Sequence, residues 1–232
     1  MAAFPTTRWT LIRHVAASPT PEAKQALESL CQQYAAPVLG FVRQRVPSEE
    51  KAEDIAQGFF VQLIERDLIG RADEERGRFR TFLLHALRGY LADVHDFDNA
   101  QKRGGGKQIV SLDGVNVIEH RHGMTADELF EMQWVRTLLA RSVARLEEES
   151  IKSGKEQLFV ALRGHLDSSE RTPLRDIANN LRMSEAATRV ALHRMRKRLG
   201  QIIRIEISDT VPSSADVDDE LNRLKQIVET HS

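Results

Sequence analysis

TPLRDIANNLRMSEAATRVALHRMRKRLGQIIRI, residues 172–205, is the stretch on which the fold turns. Leu174, Ile177 and Leu181 recur at helical spacing in its first part. Ser184 follows as an N-cap candidate, and Glu185 suits the positive end of the next helix dipole. In the second part the spacing puts Ala187, Ala191, Met195 and Leu199 on one face. Arg189, His193, Arg194, Arg196, Lys197 and Arg198 fall mostly elsewhere. A short apolar helix, a sharp turn and a basic helix form the helix-turn-helix pattern, whose second helix lies in the DNA major groove. A solvated charged face explains most single basic helices. Here residues 171–205 hold nine Arg or Lys against Asp176 and Glu185, in a chain whose formal net charge is −1. That local surplus suits a phosphate backbone.

Composition narrows the rest. A chain of 232 residues holds one or two domains. No run approaches the roughly 20 apolar residues of a membrane span, and MAAFPTTRWTLIRHV (1–15) lacks the apolar core of a signal peptide. Cys31 is the single cysteine, so no internal disulfide and no thiolate cluster for zinc can form. A cytoplasmic protein is the expectation. The histidines are scattered, and HRH at 120–122 has no further ligand pair at helical spacing. The three glycines at 104–106 are not followed by the Gly-Lys-Ser/Thr of a phosphate loop. No nucleophile–base pair is supported by spacing. The chain reads as a non-enzyme with no cofactor and no metal.

The pattern is all-α, with only a short β-like run at 108–118. Residues 21–46 place Leu27, Leu30, Tyr34, Val38, Phe41 and Val42 inward, with Pro37 expected to kink or break the helix. Residues 49–68 carry the stripe Ile55, Phe59, Leu63 and Ile64, and residues 78–101 carry Phe79, Phe82, Leu83, Ala86, Leu87, Tyr90 and Leu91. KRGGGK (102–107) marks a boundary, since no helix tolerates three glycines well. The expected organisation is two small helical domains, 1–103 and 127–207, joined by a Gly-rich flexible linker at 104–126. An acidic tail, 208–232, adds a short helix.

Three segments carry a family resemblance. KAEDIAQGFFVQLIERD (51–67) resembles the region-two signature of bacterial RNA polymerase sigma factors of the extracytoplasmic-function type, in which "DAED" precedes "QEvF". GRFRTFLLHALRGYLADVHD (77–96) is similar to that family's "FRxWLxxIARNxxxD" helix at Phe79, Arg80, Leu83, Arg88 and Asp93. The 172–205 segment resembles region four, "IAeiLgiSvgTVkSRLhRARkrL". FPTTRWTLI near the start looks like a planctomycete-rich branch. The departures are Phe82 for the family's Trp, Gly89 for its Asn, Gly58 for the acid after its Gln, and Val190 and Ala191 in the recognition helix.

The resemblance implies an alternative sigma factor that binds core RNA polymerase, reads two promoter elements and starts transcription of a stress- or signal-dependent regulon. Glu53, Asp54, Gln57 and Phe60 are implied to meet polymerase. Arg80, Arg88, Tyr90, Lys102 and Arg103 are implied to hold or melt the minus-ten element. Ser184, Thr188, Arg189, Val190, His193, Arg194, Lys197 and Arg198 are implied to meet the minus-thirty-five element. Arg189, His193 and Arg194 stand as the main base readers, with Lys197 and Arg198 on phosphates. Possible further partners are an anti-sigma factor or the chain's own tail. Residues 206–232 hold seven acids against Arg223 and Lys225, and Val217, Leu221, Leu224 and Val228 form one apolar stripe. Such a helix can fold over the basic one and inhibit it, cap the second domain, or hang loose. The rival reading is a dimeric helix-turn-helix regulator with an N-terminal helical sensor domain, which binds half-sites about one helical turn apart.

Overall fold

The computed structural model describes residues 20–66, 68–69, 78–103, 124–166, 172–208, 210–211 and 216–230. Among these residues the regular structure is helical, with no strand. The helices are α1 (Pro21–Arg43), α2 (Glu49–Glu65), α3 (Phe79–Arg103), α4 (Ala126–Lys152), α5 (Glu156–Leu162), α6 (Leu174–Asn180), α7 (Glu185–Ser208) and α8 (Asp216–Thr230). A 3-10 turn, Arg163–His165, follows α5. The β-like run at 108–118 and most of the expected linker lie outside the described residues. The chain divides into two compact units. One comprises residues up to Thr137 and those from Ile207 onward, and the other is Leu138–Glu206.

Local chemistry sets the helix starts. Ser48 caps α2, its hydroxyl accepting from the Lys51 N–H at 3.3 Å. Thr125 and Glu128 form a reciprocal capping box at the start of α4. The Glu128 carboxylate accepts from the Thr125 N–H at 2.7 Å, and the Thr125 hydroxyl accepts from the Glu128 N–H at 3.2 Å.

Aromatic side chains fill the first unit. Tyr34, Val38, Phe41 and Val42 of α1 are fully buried, as are Leu83 and Leu87 of α3 and Phe130 and Trp134 of α4. Phe59 and Leu63 of α2 join them. Tyr34 meets Phe79 edge-on with centroids 5.5 Å apart, and Phe41 meets Phe130 at 6.3 Å. Such pairs add about 0.5–1.5 kcal/mol to the area they bury. α1 runs unbroken through Pro37, so of the expected kink or break the break does not occur. Proline removes one backbone hydrogen bond, but the turn that follows it carries three fully buried core residues, and their packing offsets the loss. Ile64 is 47% exposed rather than inward, because the buried stripe of α2 follows Ile55, Phe59 and Leu63 at four-residue steps.

The same unit buries charge. Arg80 is 2% exposed, and its guanidinium lies between two carboxylates. Its Nε is 2.9 Å from Glu131 of α4, and it also pairs with Glu220 of α8. It stacks over the Trp134 ring at 4.7 Å. Glu220 is fully buried and takes a second cation, Arg78, at 2.6 Å. Arg223 of α8 reaches Glu131 at 3.5 Å. Burial pushes the Arg80 pKa down, and the Glu131 carboxylate opposes that push. Val217 and Leu224 of α8 are buried alongside Glu220. The buried side of the tail helix is therefore engaged within the first unit, through α3 and α4. The sequence left three fates open for the tail, folding over the basic helix, capping the second domain or hanging loose, and anchoring in the first unit was not among them. An apolar stripe says that a helix has a buried face, but the partners of Glu220 decide where that face goes.

Glu220→Ala leaves Arg78 and Arg80 short of a buried counter-charge, and breaking a buried pair in this way costs about 3–5 kcal/mol. Urea unfolding of the full chain, followed by tryptophan fluorescence, should show that loss. A change below about 1 kcal/mol, the range of an exposed pair, would mean that α8 is not anchored by this residue.

Candidate functional site

The second unit carries the basic helix. α6 ends at Asn180 with Leu181 as its C-cap, and α7 begins at Glu185. Between them Arg182 adopts φ +53°, a left-handed conformation costing a non-glycine residue about 1–2 kcal/mol. Two backbone bonds hold the turn: Arg182 N–H to the Asn179 carbonyl at 3.2 Å and Met183 N–H to the Ala178 carbonyl at 2.9 Å. Ser184 is the N-cap, its hydroxyl accepting from the Ala187 N–H at 3.2 Å. Beneath the turn, Ile177, Leu192, Met195 and Ile202 pack with Leu146, Phe159 and Leu162. This core fixes both the angle at which α7 leaves the turn and the face it shows outward.

That outward face differs in phase from the sequence expectation. Ala187 is exposed, and the buried line is Thr188, Leu192, Met195 and Ile202. Two stripes one residue apart compete here, and the one carrying Leu192 and Ile202 removes more apolar surface from water. Thr188 is consequently fully buried, its hydroxyl donating to the Ser184 carbonyl at 3.1 Å. It supports the helix start and does not face DNA, a correction to its expected role. Arg198 is part-exposed and forks onto Glu149 of α4 at 2.7 and 2.8 Å, so its guanidinium is already paired with a carboxylate. Arg198 holds the Glu149 carboxyl below the usual carboxylate range and is itself pushed upward by it. Glu149 lies 49 residues away in sequence, and no local pattern announces the pair.

The remaining cations are displayed. Arg189 is 70% exposed and pairs with Glu185 at 2.7 Å across one helical turn. His193, Arg194 and Lys197 are exposed, and among the described residues no ion pair holds them. Val190 stands among them at 49% exposure. Arg196 is directed elsewhere, donating to the His165 carbonyl at 2.6 Å. Beside this face a groove of about 630 Å³ opens, lined in part by Leu146, Leu158, Met183, Val190 and Met195.

In the first unit, Glu53, Asp54 and Gln57 are exposed along α2, and Phe60 is half-buried. Val61 and Ile64 extend the same helix surface at 52% and 47% exposure, whereas the sequence reading put Ile64 in the buried stripe and did not single out Val61. Their signal was available in FFVQLI (59–64), which has more apolar residues than one stripe can bury.

The residues expected to act on the minus-ten element separate into three groups. Arg80 is closed in by Glu131 and Glu220 and offers nothing to a phosphate in this arrangement, a correction to its expected role. Arg88 is half-exposed and pairs with Asp127. Tyr90 lies against Phe59 with ring centroids 5.7 Å apart, and burial pushes its hydroxyl pKa up. Gly58 makes room for it, since a methyl group at that position would collide with the Tyr90 hydroxyl. The side chains of Lys102 and Arg103, at the end of α3, lie outside the described residues.

Residues 30–95 match the family model for Sigma-70 region 2, so the chain carries that domain over α2, most of α1 and α3 as far as His95. Neither the curated proteins nor the solved structures gave a match. The domain supports a role in promoter recognition with RNA polymerase. Among the described residues no helix is long and apolar enough to cross a membrane, and no three His, Cys, Asp or Glu side chains are grouped to hold a metal ion.

Two adjacent cations should behave differently. Arg198→Ala removes the fork between α7 and α4 and should lower the melting temperature, whereas Lys197→Ala should leave it unchanged. Acid should erase the difference, because the depressed Glu149 pKa makes the pair complete above the usual carboxylate range and weaker as pH falls through it. Equal melting of both variants at neutral pH would show that Arg198 is not a tie.

Proposed function

We propose that this protein is a sigma factor of the extracytoplasmic-function type, which joins core RNA polymerase, reads promoter DNA and starts transcription. One observation carries the reading: a Sigma-70 region 2 domain at residues 30–95 shares its chain with a capped, basic helix whose cations face outward. The α2 surface of Glu53, Asp54, Gln57 and Phe60, with Val61 and Ile64 beyond, suits a partner that offers cations and apolar contact. That partner is core polymerase. α3 meets the minus-ten element through Arg88, Tyr90, Lys102 and Arg103. Extruding a base from the duplex costs a few kcal/mol, which stacking and phosphate contacts must offset. α7 meets the minus-thirty-five element through His193, Arg194 and Lys197, with Arg189 at its flank.

The test is reconstitution. Core polymerase mixed with the full chain should yield run-off transcripts from a cognate promoter, and neither component should do so alone. Glu53→Lys with Asp54→Lys should cut the yield at least about tenfold, the worth of 1.4 kcal/mol. Both residues are exposed, so folding should be unaffected. Specific binding of the chain to a two-fold DNA site as a dimer, with no transcript in the presence of polymerase, would favour a stand-alone regulator instead.

A further inference from the structure

Helix α7 places Ala186, Val190, His193 and Lys197 at spacings of four, three and four, all of them exposed. They lie opposite the buried line of Thr188, Leu192, Met195 and Ile202, and so form the crest of the outward face. The crest is divided. Its first turn holds only methyl-bearing side chains, Ala186 and Val190, and its second holds His193, Arg194 and Lys197. Arg189, beside the first turn, has its guanidinium drawn back to Glu185 at 2.7 Å. The N-terminal residues of a recognition helix are the ones that reach base edges. Here the two that stand on the crest, Ala186 and Val190, have no side-chain hydrogen-bonding group.

We propose that Val190, with Ala186 beside it, reads the C5-methyl group of a thymine in the upstream promoter element. The inference rests on the sigma-factor reading and adds to it the base identity that the first turn selects. The major-groove edge of thymine is the one that carries a methyl group, and apolar side chains recognise it by contact. No acidic side chain stands on this crest, and the cations Arg194 and Lys197 follow it beside the His193 imidazole, so DNA is the surface it complements. Val190 also borders the apolar groove beside α7, and a protein partner seated there is the outcome that the test must separate.

Holoenzyme assembled from the full chain and core polymerase would first select duplexes from a pool randomised over the upstream element. Each thymine of the selected sequence would then be replaced by deoxyuridine, which removes the methyl group and preserves base pairing. Binding should weaken about fourfold at one position, the equivalent of burying one methyl-sized group. Val190→Ala should abolish that difference, and Val190→Thr, which keeps one methyl group, should retain part of it. Val190 is half-exposed, so neither substitution threatens folding.

If thymine and deoxyuridine bind alike at every position while a sequence is still selected, the inference is overturned and promoter reading stands. If Val190→Ala weakens assembly with polymerase and leaves the deoxyuridine effect intact, Val190 is a protein-docking residue and the inference is likewise overturned. If no sequence is selected at all, the sigma-factor reading fails and the inference falls with it.

Discussion

A guanidinium shut away from water must be answered by carboxylates, and Arg80 imposes that demand on the first unit. Arg80 and its neighbour Phe79, at the start of α3, are both buried. Glu131 alone does not suffice, since Arg78 and Arg223 crowd the same place. Glu220 supplies the second carboxylate from a helix more than 130 residues away in sequence. The requirement for charge balance therefore recruits the end of the chain to the helices that carry the Sigma-70 region 2 match. An uncompensated ion at this depth costs far more than the packing around it returns. Trp134 accommodates the arrangement by presenting its ring face to Arg80. A helix anchored in this way belongs to the first unit.

The second unit solves a different problem with lighter means. Its helix-turn-helix is held by a small apolar core and by one residue, Arg182, in a conformation better suited to glycine. Arg141 and Arg145 fasten the end of α7 through Glu206, and Arg198 fastens its middle through Glu149. Of these cations only Arg198 belongs to the basic surplus of residues 171–205, and its pairing with Glu149 lowers the charge that the segment offers by one. What remains outward is ordered, with methyl groups first and cations after.

Much of this was legible in the sequence, for identifiable reasons. The stripes of α1 and α3 were readable because large apolar residues recur without competitors, and Tyr34, Phe41, Leu83 and Leu87 are all fully buried. The helix-turn-helix was readable because Ser184 supplies a cap at the point where polarity changes. The phase of α7 was not, since Ala187 and Ala191 are too small to outweigh the neighbouring line through Leu192. Arg80 and Arg198 were read as free cations because the carboxylates that claim them are distant in sequence. Glu220 offered a clue that went unused. It lies on the same helix face as Val217 and Leu224, and an acid within an apolar stripe calls for a buried partner. The α2 surface proposed for polymerase was legible only in its polar half. Ile64 was counted as core and Val61 was not singled out, because exposed and buried apolar residues look alike in a sequence.

The function proposed for the two units is to open promoter DNA in company with polymerase. Permanganate oxidation of unpaired thymines tests that claim most directly, because it reports strand separation itself. On a promoter selected by the holoenzyme, thymines of the minus-ten element should become reactive when core polymerase and this protein are both present, and with neither alone. Thymines that stay protected in the complete mixture, while the protein by itself covers a two-fold symmetric site, would contradict the account.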